Sequence, residues 1–125
     1  MSKSLVRTRD GERSLLATQL DTADSLLSRT KGLLGRSTLP TGEALWIKRC
    51  NSIHTFFMRF AIDAIFVDEN LKVVSVYEDL RPWRITRLHF KASSVFELPS
   101  GTLAGTLKDV KRGDHMSIEN GGTNG

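Results

Sequence analysis

The stretch ALWIKRCNSIHTFFMRFAIDAIFVDENLKVVSV, residues 44–76, carries the densest apolar patterning of the chain and decides its fold class. From Phe56 onward the even positions are Phe56, Met58, Phe60, Ile62, Ala64 and Phe66, a continuous apolar face. The odd positions carry Phe57, Arg59, Ala61, Asp63, Ile65 and Val67, a mixed face. Alternation with a period of two predicts a strand buried on one side and half-buried on the other. Asp68, Glu69 and Asn70 follow as a hairpin turn, with Asn70 suited to a left-handed backbone, and residues 72–77 return as the partner strand. A slip of one residue would turn the aromatic face into water, so this register is strongly specified. Upstream, Leu45 and Ile47 alternate with Trp46 and Lys48 in a further strand, which Cys50, Asn51 and Ser52 interrupt.

Before this stretch, residues 1–12 are polar and aperiodic and are expected to form a flexible tail, with a short strand over 13–20. Asp21 or Thr22 can cap a helix, and Asp24 places a negative charge in its first turn. Ala23, Leu26, Leu27, Thr30, Leu33 and Leu34 recur at helical spacing, and Gly35 is placed to stop that helix. Beyond the stretch, residues 94–98 read as a short strand and residues 102–107 as a helical turn. Lys111, Arg112, Gly113 and Asp114 read as a tight turn into a last strand over 115–118. Residues 119–125 read as a flexible tail. The expected fold is α+β: a mainly antiparallel, partly barrel-like sheet with one principal helix packed on it, in a single domain over 13–118.

A chain of 125 residues, 39% hydrophobic and 26% charged, is long enough to bury one core without a disulfide or a structural metal. The single Cys50 cannot form an internal disulfide, which points to a reducing compartment. Basic residues near the start are followed by Asp10 and Glu12 before any apolar run of signal length, and no run approaches the roughly 20 apolar residues of a membrane span. A cytoplasmic location and no membrane partner are therefore expected.

The segments CNSIHTFFMRFAIDAIFVDENLKVVSV, LRPWR, VFELPSGTLAG and KRGDHMSI occur in this order. Together they resemble a widespread prokaryotic family, domain of unknown function 192. GLLGRSTLPTGEALWI resembles that family's preceding helix and strand, so the resemblance spans roughly Leu15 to Ile118. Ala61 departs from it, because the family motif usually carries proline before the Ile-Asp pair. The resemblance implies a compact, β-rich α+β fold and no agreed activity, so chemistry has to be read from the residues.

Cys50, His54, Asp63 and Glu97 include usable metal ligands, yet residues four apart on a strand lie about 13 Å apart. Cys50 and His54 would meet only around a turn, and no zinc-finger or HExxH pairing is present, so no metal or cofactor is expected. Cys50 or Ser52 beside His54 could make a nucleophile with its base, but no GxSxG elbow or activating helix N-terminus accompanies them. Asp63 and Glu97 are carboxylates within apolar strands, where each needs backbone donors or a cation. Arg81 and Arg84 are the candidate partners of Asp63. Arg81, Arg84, Arg87 and Lys91, interleaved with Trp83, His89 and Phe90, form either a solvated edge or a contact for phosphate.

The leading expectation is a non-enzymatic ligand-binding or protein-interaction module. Its polar cleft would be built from His54, Arg59, Asp63, Arg84 and Glu97, for a small-molecule or protein partner. The rivals are a small enzyme using Cys50 or His54, and a nucleic-acid or anion binder using residues 81–91.

Overall fold

Residues 62–67, the most apolar part of the opening stretch, form a strand in which every side chain is buried. A strand buried on both faces needs neighbours at both edges and cover above and below. The computed structural model, which describes residues 3–24, 38–105 and 108–120, supplies all of these. Its strands are β1 (Lys3–Arg9), β2 (Glu12–Ala17), β3 (Gln19–Ala23), β4 (Glu43–Lys48), β5 (Ile62–Val67), β6 (Val73–Leu80), β7 (Ser94–Pro99) and β8 (His115–Asn120). They make a five-stranded sheet ordered β3-β4-β7-β5-β6 and a three-stranded sheet ordered β2-β1-β8. Only the β3–β4 pair is parallel among these ladders.

Two clusters of buried side chains sandwich the larger sheet. On one face Ile65 and Val67 of β5 and Phe96 and Leu98 of β7 pack with Leu5, Leu16, Ala17 and Met116 of the smaller sheet. On the other face Ile62, Ala64, Phe66 and Val95 pack with Ile47, Cys50, Ile53, Met58 and Ala92, most of them from segments between strands. Truncation of a fully buried Phe66 or Phe96 to Ala would remove about 3–5 kcal/mol.

The expected α+β class is corrected by this architecture. No helix occurs among the described residues, and the fold is rich in β-sheet. Asp21, Thr22 and Ala23, read as the start of the principal helix, are extended and pair in parallel with Leu45, Trp46 and Ile47. Leu26, Leu27, Thr30, Leu33, Leu34 and Gly35 lie outside the described residues. The ladder to β4 outweighs the capping preference of Asp21 and Thr22, because propensity is weak against tertiary pairing.

Four local expectations are also revised. Residues 3–9 form the central strand of the smaller sheet, flanked by β2 and β8, instead of a tail. Residues 56–61 are not part of the long strand, which begins at Ile62. At the hairpin the left-handed residue is Leu71, at φ 62°, since the Asp68 carboxylate accepts the amide hydrogens of Asn70 and Lys72, both at 2.9 Å. Glu119 and Asn120 belong to β8, and residues 121–125 lie outside the described part.

Candidate functional site

Cover over the Phe66 face comes from two segments running antiparallel, residues 50–55 and 83–93. His89 N–H donates to Asn51 O at 2.9 Å, Thr86 N–H to Ile53 O at 2.9 Å, and Cys50 N–H to Ser93 O at 3.1 Å. His54 and Ile85 form an isolated antiparallel bridge between them. The result is a short ribbon laid across the sheet.

Thr55, fully buried, fixes the end of this ribbon. Its hydroxyl donates to Arg81 O at 2.6 Å and accepts the Arg84 amide at 2.9 Å. Its own amide donates to Arg84 O, and its carbonyl accepts from Trp83 and Met58. Tying two turns to one residue holds Phe57 at φ 68° and Trp83 at φ 65°, left-handed values that bulky residues rarely adopt. Both rings emerge into solvent, Phe57 66% exposed and Trp83 56% exposed. They meet edge to face at 4.7 Å, Phe56 lies 5.9 Å from Trp83, and the His54 ring stacks on Phe56 at 4.9 Å. Four rings thus make one continuous platform. Arg59, Arg81 and Arg84, in the same two turns, are exposed.

Further along, Thr86 is buried and its hydroxyl accepts the Ile53 amide at 3.0 Å. The His89 ring lies 2.7 Å from the Tyr77 hydroxyl and 4.6 Å from the Phe66 ring centre. Burial, then repulsion from Arg87, holds the His89 pKa below the ordinary imidazole value. Asp79, at the entrance to the segment, accepts from the Ser100 hydroxyl at 2.7 Å; that bond, then the charge of Arg81, lowers its pKa against the opposing effect of burial.

The five residues expected to share one cleft are divided by strand register. Asp63 pairs with Leu98, and Ala64 with Glu97, so the two carboxylates project from opposite faces of the larger sheet. Asp63 is fully buried and accepts the amides of Asp79 at 2.8 Å and Leu103 at 2.9 Å. These two backbone donors occupy the role that the sequence reading assigned to Arg81 or Arg84. Glu97 is fully buried on the Phe66 side, while His54, Arg59 and Arg84 belong to the turns and ribbon outside it. Cys50 is buried with its thiol 3.0 Å from Ser52 O, and the Phe56 amide donates to His54 Nδ1 at 3.3 Å.

Sequence reasoning did not single out Phe57, and it placed Trp83 within the 81–91 segment, read as a solvated edge or a phosphate contact. Its available signal was the mixture of Arg81, Arg84, Arg87 and Lys91 with Trp83 and Phe90.

A second charged cluster is structural. Arg9 makes a two-pronged pair with Asp114 at 2.8 and 2.7 Å, and Asp114 also accepts the Lys111 amide at 2.8 Å. Burial pushes the Asp114 carboxyl up, but the bonds from Arg9 and Lys111 together with the charges of Arg9 and Arg7 leave it below the ordinary range. This pair anchors the turn at 111–114 to β1. On the side of that turn that carries Arg112, Asp68, Lys72, Lys91 and Arg112 border an open cleft of about 640 Å³.

The two-sheet, β-rich architecture defines a structural class that is shared with proteins of known structure. A protein of unknown function from Novosphingobium aromaticivorans superposes with a TM-score of 0.75 at 19% identity, covering 91% of this chain and 83% of that one. A putative transcription regulator from Sinorhizobium meliloti superposes with a TM-score of 0.73 at 20% identity, covering 94% of each chain. Likeness at this identity concerns the fold alone. Residues 6–118 match the family described as an uncharacterised ACR, domain of unknown function 192, and the chain belongs to that family. It is 40% identical over 84 residues to the UPF0127 protein PH1112 of Pyrococcus horikoshii, covering 63% of this chain and 70% of that protein. It is 38% identical over 104 residues to the UPF0127 protein PYRAB11210 of Pyrococcus abyssi, covering 78% and 84% respectively.

Among the described residues no helix is long and apolar enough to cross a membrane.

Proposed function

We propose that the protein is a non-enzymatic binding module that meets its ligand on the outer surface of the ribbon formed by residues 50–55 and 83–93 and the turns at its end. One observation carries this reading: Phe57 and Trp83 are held in left-handed backbone and yet remain solvent-exposed. Strain of roughly 1–3 kcal/mol per residue persists only where the surrounding structure enforces it, and it concentrates at binding sites. Here Thr55 enforces it through five backbone or hydroxyl contacts to the 81–84 turn. Of the expected ligand contacts, His54 is one ring of the platform and Arg59 and Arg84 belong to the exposed turns that carry it, whereas Asp63 and Glu97 are buried in the interior. The single Cys50, buried in the apolar cluster, supports a cytoplasmic setting.

Backbone amide shifts of the full chain, followed by NMR during titration with oligonucleotides, polyglutamate and anionic vesicles, test the reading. Perturbations concentrated in residues 51–59 and 81–91 are expected for whichever probe binds. Perturbations confined to the surface of the smaller sheet, or no binding by any probe, would remove this surface as the contact site.

A further inference from the structure

The exposed surface of residues 81–91 has a repeat that the platform alone does not require. Thr86 and Ala92 are buried, and the half-buried His89 ring rests on Phe66 and Tyr77. Between these inward residues the chain turns out pairs: Arg84 with Ile85, Arg87 with Leu88, Phe90 with Lys91. Each pair offers one cation and one apolar side chain. Ile85 and Leu88 are more than half exposed, and Phe90 is 85% exposed.

This strip also has length and direction. It leaves β6 at Leu80 and enters β7 at Ser94, which pairs with Val67 at the opposite end of β5. The strip therefore passes along the eight residues of β6, a span of about 25 Å. At its far end Lys91 joins Lys72 and Arg112 around the 640 Å³ cleft.

We propose that this strip binds single-stranded nucleic acid, with phosphates along Arg84, Arg87, Lys91 and the cleft cations, and bases on Trp83, Phe57 and Phe90. The inference rests on the ribbon surface being the contact site and adds the chemistry of the ligand. Unpaired nucleic acid alternates anionic groups with flat apolar ones, and the strip alternates in the same way. Proteins that bind it without strict sequence preference combine a basic track with exposed aromatic rings. A lipid surface fits less well, because cations and apolar side chains alternate along this one exposed strip and are not segregated to opposite faces as in segments that lie in a membrane interface. An acidic peptide would match the cations but leaves the exposed ring faces without a partner.

Fluorescence anisotropy with oligothymidylate and oligouridylate of about 12 nucleotides tests the proposal. Binding by either is expected, and a difference between them identifies DNA or RNA as the source of the ligand. With about five phosphate contacts, affinity should fall on the order of 100-fold between 50 and 200 mM salt. Trp83→Ala and Phe90→Ala should each weaken binding about tenfold, and Trp83→Phe should restore most of it. Arg87→Ala should lower the salt slope by about 0.7. Circular dichroism confirms that each variant is folded. Absence of binding to both oligonucleotides at low salt, or binding unchanged in Trp83→Ala and Phe90→Ala, overturns the proposal. If polyglutamate or phosphatidylserine vesicles shift the ribbon amides and oligonucleotides do not, the nucleic-acid ligand is rejected while the contact surface stands. If no probe shifts those amides, both fall.

Discussion

Each face of the five-stranded sheet buries a carboxylate, Asp63 on one and Glu97 on the other, but only one face carries polar groups that project rings and cations into solvent. Toward the smaller sheet, Asp63 is surrounded by apolar side chains and used up by two backbone amides. Over the Phe66 face, buried polar groups such as Thr55 and Thr86 serve to aim neighbours outward, and rings and arginines end in solvent. A costly buried carboxylate is therefore a poor guide to function in this fold. Exposed rings on strained backbone are the better guide.

The contrast is broken most decisively at Asp63. Asp63→Ala leaves the buried amide of Leu103 and that of Asp79 without an acceptor, and urea unfolding should register a loss of about 4 kcal/mol. A loss below about 1 kcal/mol would return Asp63 to the list of ligand contacts. Asp114→Asn is next, with a loss of about 2 kcal/mol at neutral pH from the weakened Arg9 pair. The folded carboxyl titrates below its ordinary value, so its contribution is complete above about pH 4 and disappears as pH falls through the folded value. Unfolding curves of wild type and Asp114→Asn should accordingly converge in acid. Thr86→Val removes the acceptor of the Ile53 amide without changing volume and should cost about 1–2 kcal/mol. The smallest stability effect belongs to the platform: Phe57→Gly or Trp83→Gly should stay within about 1 kcal/mol of wild type. Relief of left-handed strain there offsets the lost ring contacts. Severe destabilisation by either change would make the platform part of the core.

Much of the larger sheet was legible in residues 44–76, because its strands alternate cleanly and the turn at 68–70 has strong local chemistry. The strand start was misplaced because residues 56–61 continue the same parity, while Thr55 bonds to a turn some thirty positions away in sequence. β1 escaped notice since Leu5 and Val6 are adjacent, without alternation, and its partner β8 lies at the far end of the chain. Asp21 to Ala23 carry capping residues, and nothing local announces a parallel ladder to β4.

The expected cleft illustrates the same limit at a site. Each strand disclosed a carboxylate, but only the pairing of Asp63 with Leu98 shows that Asp63 and Glu97 face apart. The aromatic–cationic composition of residues 81–91 was visible, whereas its inward and outward periodicity requires knowing what Thr86 and His89 rest upon.

The pairing of β1 with β8 has a consequence for synthesis. During translation, the surface holding Ile65 and Phe96 lacks the complete three-stranded cover until residues near 120 have left the ribosome. From the emergence of β7 until β8 follows, nascent chains would therefore carry an incompletely covered apolar sheet, the interval in which aggregation competes with folding and a holding chaperone is most useful.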